Sequence, residues 1–319
     1  MIALRAVFLG NDLWSVPTLE HLAAAPDVEV AAVITNPARP AGRGSRHRPT
    51  AVAEAASRLG LEVVEVDDVR DGAGRETIES LRPDALVVVA YGHILPGELL
   101  AIPRLGSLNL HFSLLPRWRG AAPVQHAILE GDEATGVSVM LLDMGLDTGP
   151  VLAARAEPIR ADDDAGSLGA RLAELGAPLV TACLRAIEAG TAAPIAQDDV
   201  GVTYAAKLSA EDRSIDWRES CERIGRRVRA FAPSPGATTA FRGAPLKILR
   251  AQARSAEPGE GSGAPSSPGA LAIAGDGTPI VRAGDGSVAL LEVAQAGRAR
   301  MSGADWARGA RLEREERLA

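Results

Sequence analysis

Near-continuous apolar runs alternate with stretches of helical periodicity along the first two-thirds of the chain. The strand-like runs are Arg5–Gly10, Val28–Thr35, Glu62–Val66, Ala85–Tyr91, Ser107–His111 and Val137–Asp143. Several, such as ALVVVAY, lack polar alternation, which is the pattern of strands covered on both faces. Between them Ser15 is placed to cap a helix over Pro17–Ala25. Thr50 is placed to cap another over Ala51–Leu59 with Gly60 as its stop, and Pro123 opens a short one over Val124–Glu130. A longer pattern over Ser167–Ala189 sets Leu168, Leu172, Leu175, Leu179 and Leu184 at helical spacing. This alternation predicts a doubly wound, Rossmann-like α/β domain over residues 1–190.

The texture changes beyond that point. Residues 191–207 read as a linker and 208–319 as a second domain. Its short strands are Ala237–Phe241, Leu246–Ala251, Ala270–Ala274, Pro279–Ala283 and Ser287–Ala294, preceded by a helix over Ser220–Phe231. The spacing predicts a small C-terminal β-barrel of the oligonucleotide-binding (OB) type. Residues 255–269, rich in Gly, Ser and Pro, read as a loose loop between two strands.

Composition narrows the function classes. At 319 residues, 46% hydrophobic and net charge −7, the chain is not globally disordered and is long enough for two cores. No apolar run has the length of a membrane span. The apolar N-terminus meets Asn11 and Asp12 at once, so it reads as the first strand of a cytoplasmic protein. Cys183 and Cys221 are too few for a disulfide framework or a zinc site and read as buried thiols. Asp162–Asp164 reads as a solvated helix start favoured by the macrodipole, and no metal is expected.

Charge is unevenly spread. Residues 1–207 carry a net −10 and residues 208–319 a net +3. Val30–Ala53 holds four arginines and no acid, and Arg223–Ala256 holds eight basic residues and no acid. Such patches recruit a polyanion despite a negative total, because screening confines each charge to about 10 Å. Solvated surface is the plainer account of charge alone.

The first βα turn, VFLGNDLWSVP, has one glycine where a dinucleotide fingerprint needs three, and no P-loop is present. The informative stretch is residues 107–152. Asn109 and His111, two apart on one strand, leave the same face near its carboxyl end, and Asp147 sits in the turn GLDTG after the next strand. An amide, an imidazole and a carboxylate suit acyl transfer, and with no nucleophile elbow a substrate amine would attack directly. Taken singly, His111 reads more readily as a satisfied core residue, and Asp147 reads also as a tight turn with an Asx bond.

NLHFSLLPRWRGAAP and GVSVMLLDMGLDTGPVL resemble the folate-dependent formyltransferases. TNPARPAGRG, VVVAYGHILP, VTYAAKLSAEDRSIDW and RAFAPSPGA extend the resemblance over essentially the whole chain. The resemblance implies that Asn109, His111 and Asp147 are catalytic, with Asn109 and protonated His111 stabilising an oxyanion and Asp147 holding His111. It implies a tetrahydrofolate site lined by Tyr91, Gly92, Ser113, Leu114, Leu115 and Pro116. The donor would be 10-formyltetrahydrofolate, the acceptor the α-amine of methionyl initiator tRNA, and the enzyme a monomer. The loop NPARPAGRGSRHRP, with Arg39, Arg43 and Arg46, would meet the acceptor end of the tRNA. The C-terminal domain, through Arg223, Arg226, Arg227, Arg229 and Lys247, would hold the phosphate backbone.

The chain departs from the family pattern in places. Its first turn is GNDLWS in place of a Gly-Thr-Pro-like start, Phe112 stands where a small residue is expected, and Ser45 and Arg46 replace expected lysines. A nucleotide-sugar formyltransferase shares the two-part layout but should lack the PAGRG loop. A non-catalytic RNA-binding protein would have no reason to keep the Asn–His–Asp set.

Overall fold

The computed structural model describes residues 3–41, 46–70, 72–255, 267–312 and 316–319. In chain order the first half runs β1 (Leu4–Gly10), α1 (Val16–Ala24), β2 (Val28–Thr35), β3 (Arg39–Ala41), β4 (Arg46–Arg48), α2 (Ala51–Arg58) and β5 (Val63–Glu65). It continues through α3 (Gly72–Leu81), β6 (Ala85–Val89), α4 (Gly97–Leu100), β7 (Ser107–His111), β8 (Arg119–Gly120) and α5 (Pro123–Glu130). Then follow β9 (Ala134–Leu141), β10 (Val151–Pro158), α6 (Ala165–Glu188) and β11 (Tyr204–Ala205). The remainder is α7 (Cys221–Phe231), β12 (Ala237–Phe241), β13 (Ala244–Ser255), β14 (Leu271–Ile273), β15 (Pro279–Arg282), β16 (Gly286–Gln295), β17 (Met301–Ser302) and α8 (Gly303–Ala310). Contacts divide the chain into two units. The first comprises Met1–Pro123, Ala134–Pro158 and Gly169–Ala206, and the second Val124–Glu133, Ile159–Leu168 and Lys207–Ala319.

The first unit is built on a mixed sheet in the order β10-β9-β7-β6-β1-β2-β5. The strands β5, β2, β1, β6 and β7 are parallel, as their apolar runs predict, while β9 and β10 are antiparallel. Both faces are covered. Val7, Leu9, Leu86 and Val88 join Ile78 of α3 and Leu99 of α4 in one cluster. On the other face α6 closes on the sheet through glycines: a Cβ at Gly176 would stand 2.6 Å from Leu110, and one at Gly169 2.1 Å from Trp14. Because Val88 pairs with Asn109, Asn109 and His111 share the α3/α4 face, opposite Leu110. Phe112 is buried and its ring lies against Trp14, 5.7 Å between centroids, so it packs with the core.

Thr50 caps α2 as expected, accepting from the Ala53 amide. Ser15 does not cap α1; its hydroxyl donates to Val89 O at 2.6 Å and ties the first turn to β6. The acidic stretch before α6 is not simply solvated either. Asp163 is buried, accepting from Arg160 N and Ser167 Oγ, and only Asp164 acts as a cap, accepting from Ser167 N. Among the described residues no cluster of His, Cys, Asp or Glu has metal-site geometry, and no helix is long and apolar enough to cross a membrane. Cys183 and Cys221 are buried free thiols, as expected, and burial pushes Cys183 up to about 11.

The second unit holds the antiparallel order β12-β13-β16-β15-β14, with β17 on β16. Its ring of strands is closed by residues 316–319. Ala319 exchanges two backbone bonds with Ala240 of β12, while Leu318 N donates to Gly269 O and Leu271 N to Glu316 O. Leu318 is 4% exposed in a core with Trp217, Phe241, Ile248, Val281, Leu290 and Trp306. Replacing it tests the closure: Leu318→Ala should cost about 2–4 kcal/mol in urea unfolding, and a loss below about 1 kcal/mol would show that the segment does not seal this core.

Candidate active site

Strand β9 runs antiparallel to β7, with Leu141 opposite Leu108 and Ser138 opposite His111. The loop after β9 therefore starts beside the amino end of β7. Asp147 follows the carboxyl end of β9, as the sequence suggested, but because β9 is antiparallel this end lies away from the carboxyl ends of the parallel strands. The loop folds back so that Asp147 reaches His111, placing the carboxylate against the sheet face that carries Asn109 and His111. Two backbone features permit this course. Gly149 comes so close to Leu141 that a Cβ there would stand 1.8 Å from the Leu141 carbonyl oxygen. Asp147 adopts φ +51°, a conformation that short polar residues tolerate.

The three expected catalytic residues are brought together differently. His111 is buried, and its Nε2 lies 2.8 Å from Trp118 O. A carbonyl can only accept, so Nε2 carries the proton and donates it there. The other nitrogen, Nδ1, faces Asp147 Oδ2 at 3.6 Å, too long for a hydrogen bond but within ion-pair distance of a protonated ring. The same Oδ2 accepts from Gly120 N at 2.7 Å. Asn109 is half-buried, and among the described residues its amide has no hydrogen-bond partner. An amide donor, a ring nitrogen able to take a second proton and a carboxylate to stabilise that proton share one face.

Segment 118–120 places two of these groups. Trp118 O receives His111, and Gly120 N holds Asp147. The segment is fixed in turn by residues 203–205: Trp118 N donates to Thr203 Oγ1, Arg119 N to Thr203 O and Ala121 N to Ala205 O. The sequence reading missed these supports, together with Gln197, because all lie in what read as linker. Residues 203–205 fall in the VTYAAKL motif of the resemblance, while Gln197 lies outside it.

The expected folate-site residues divide. Gly92 is exposed with φ +84°, and Leu114, Leu115 and Pro116 are part-exposed. Ser113 is fully buried, its hydroxyl donating to Arg117 O and its carbonyl accepting from Ser138 Oγ, so its side chain shapes the turn. Tyr91 is 2% exposed, with its ring in the apolar cluster of β1, β2 and β6, so its side chain likewise faces the core. Its carbonyl accepts from Asn11 Nδ2, and Asn11 Oδ1 accepts from Thr35 Oγ1 and Asn36 N, pinning the turn after β1. Exposed apolar residues occur in the neighbouring loops: Ile94 in the loop after β6, and Met144 and Leu146 in the Asp147 loop.

The expected RNA-contact residues also divide. Arg39 is exposed on the β3–β4 hairpin, paired with Arg48. Arg46 belongs to the same hairpin, while Arg43 lies outside the described residues. In the second unit Lys247 and Arg223 are exposed, though Arg223 also meets Glu219 at 3.1 Å. The others have internal partners. Arg227 pairs with Glu219, Arg226 donates to Glu130 O at 2.9 Å, and Arg229 donates to Asp163 O at 3.3 Å. Burial holds Arg229 below the ordinary arginine range. Helix periodicity turned these three inward, so their charge serves folding contacts first.

Two family models match this chain, formyl transferase over residues 4–184 and formyl transferase, C-terminal domain, over residues 207–311. The chain belongs to the formyl transferase family. It is 46% identical over 312 residues to the methionyl-tRNA formyltransferase of Halorhodospira halophila, covering 98% of each chain. It is 45% identical over 317 residues to that of Roseiflexus castenholzii, covering 99% of each. Its fold matches HypX from Aquifex aeolicus, solved with tetrahydrofolic acid, at TM-score 0.66 and 20% identity. That match takes in 98% of this chain and 48% of HypX, so the chain spans about half its length.

Burial raises the Tyr91 phenol to about 12, with the Asp68 carboxylate adding to the effect. Keeping the ring neutral stabilises the fold fully below the unfolded value of about 10, and this contribution is lost as pH rises towards 12. Tyr91→Phe should remove that alkaline loss in pH-dependent urea unfolding and leave neutral stability equal or higher, since the buried hydroxyl has no partner among the described residues. A variant as alkali-sensitive as wild type would show that Tyr91 is not the responsible group.

Proposed function

We propose that this chain transfers the formyl group of 10-formyltetrahydrofolate to the α-amino group of methionyl initiator tRNA. The observation that carries the reading is the full-length likeness to methionyl-tRNA formyltransferases combined with Asn109, His111 and Asp147 on one sheet face. The catalytic domain would be residues 1–190, with the linker 191–207 packed against it through Gln197 and residues 203–205, and the tRNA-binding domain would be 208–319. The enzyme would work as a cytoplasmic monomer.

In this reading the amine nitrogen attacks the formyl carbon, and the carbonyl electron pair moves to oxygen. The Asn109 amide, with no competing partner among the described residues, donates to that oxyanion. His111 Nε2–H is engaged by Trp118 O, so the ring acts through Nδ1, where Asp147 stabilises the second proton. The proton lost by the amine passes through this pair and returns to the folate nitrogen as the carbon–nitrogen bond to the folate breaks. Exposed Ile94, Met144 and Leu146 suit the flat apolar ring of a folate, and the backbone at Gly92 suits its polar edge. Leu114, Leu115 and Pro116 would complete that site.

For the RNA, the reading assigns Arg39, Arg43 and Arg46 to the acceptor end by charge, and Arg223 and Lys247 to the phosphate backbone by charge and exposure. Arg226, Arg227 and Arg229 contribute field more than direct contact, given their internal partners. The test is formylation of methionyl initiator tRNA with 10-formyltetrahydrofolate. Wild type should form formyl-methionyl-tRNA, and Asp147→Asn should lose about 10²–10³ in kcat. Arg39→Ala and Arg43→Ala should each raise KM for the tRNA about threefold to tenfold with kcat unchanged, and the rise should shrink at high salt. Wild type that forms no product, or Asp147→Asn within about threefold of it, would overturn the reading.

A further inference from the structure

The loop carrying Asp147 is gripped by one side chain outside it. Gln197 Nε2 donates to Asp147 O and to Gly149 O, each at 2.8 Å, and so bridges the turn on both sides of Thr148. Gln197 Oε1 accepts twice from Arg119, from Nε at 3.0 Å and Nη2 at 2.8 Å. Two donors and two accepted bonds saturate the amide. Gln197 is part-buried while its neighbours Ile195, Ala196, Asp198 and Asp199 are exposed, so this ordering is specific to one side chain. The backbone puts it there, because Val151 and Ile195 exchange both backbone bonds at the edge of β10.

Arg119 determines which way the amide faces. It is 6% exposed, and among the described residues its guanidinium meets no carboxylate. A guanidinium can only donate, so Oε1 must point towards it and the NH2 must point at the two loop carbonyls. A buried cation satisfied only by an amide is costly for stability alone. The Arg119–Gln197 pair gives the NH2 a single orientation, and that orientation defines the turn from which Asp147 Oδ2 reaches Gly120 N and faces His111 Nδ1.

We infer that Gln197, oriented by Arg119, is a positioning residue that holds the Asp147 carboxylate in register with His111. This rests on the role of Asp147 proposed above. Gln197→Glu separates positioning from stability. The carboxylate still accepts both Arg119 bonds, now charge-assisted, but has no hydrogen for Asp147 O or Gly149 O. The thermal midpoint of Gln197→Glu should therefore stay at or above that of wild type, while kcat falls about tenfold with both KM values within about twofold. Hydrogen exchange of the 143–149 peptide should accelerate at least about fivefold.

Gln197→Ala should show the same kinetic split and, with Arg119 left unpaired, a lower midpoint. A Gln197→Glu enzyme with kcat within about twofold of wild type and unchanged exchange would overturn the inference. If wild type fails to formylate methionyl-tRNA, the proposed function falls, and the exchange of 143–149 in the two proteins still decides whether Gln197 holds the loop.

Discussion

The hydrogen bond from His111 Nε2 to the Trp118 carbonyl is the interaction on which the site's chemistry depends. It settles the tautomer, turns Nδ1 towards Asp147 and leaves that nitrogen as the atom able to gain or lose a proton. Asp147 in turn is held through its carboxylate by Gly120 N, two residues further along the same backbone. Both titratable groups thus take their orientation from one short segment, itself bonded to residues 203–205. Backbone groups are well suited to this work, because they have no rotamers to lose and their geometry is set by the fold around them.

The polar supports of the site are affordable because the remaining structure is conventional. The sheet is covered on both faces, and α6 approaches it closely at Gly176. Asn109 and His111 sit on a strand in the interior of the sheet, where neighbours β6 and β9 hold the main chain on both sides. Only the Asp147 loop needs extra restraint, since it crosses the sheet face without ladder bonds of its own. It receives that restraint from side chains and amides far away in sequence.

Much of this architecture was legible from the residues. Near-continuous apolar runs identified β1, β2 and β6, because a strand covered on both faces has little polar side to display, while β7 (SLNLH) stood out by its two polar residues on one face. The antiparallel edge β10 escaped notice: VLAARAEP mixes exposed and part-buried positions and resembles a polar helix as much as a strand. Asn109, His111 and Asp147 could be found because their chemical types are conspicuous and sit at strand ends. Their supports could not, since the Trp118 carbonyl, the Gly120 amide and the Gln197 side chain act through backbone geometry that residue identity does not report. The arginines of α7 illustrate the same limit. Charge could be counted along the chain, but Glu219, Glu130 and Asp163 become partners only once the chain is folded.

The closing segment of the second unit has a kinetic consequence. Thr239 Oγ1 donates to Ala319 O across 80 residues of chain, so the seam of the ring is among its most non-local pairings. Loop-closure entropy is then met only after β13, β15 and β16 have formed their nearer hairpins. Interactions made that late are absent from the folding transition state, so they leave the folding rate nearly unchanged and retard unfolding instead. The lifetime of the folded second unit is thereby tied to how firmly residues 316–319 stay paired with Ala240, Gly269 and Leu271.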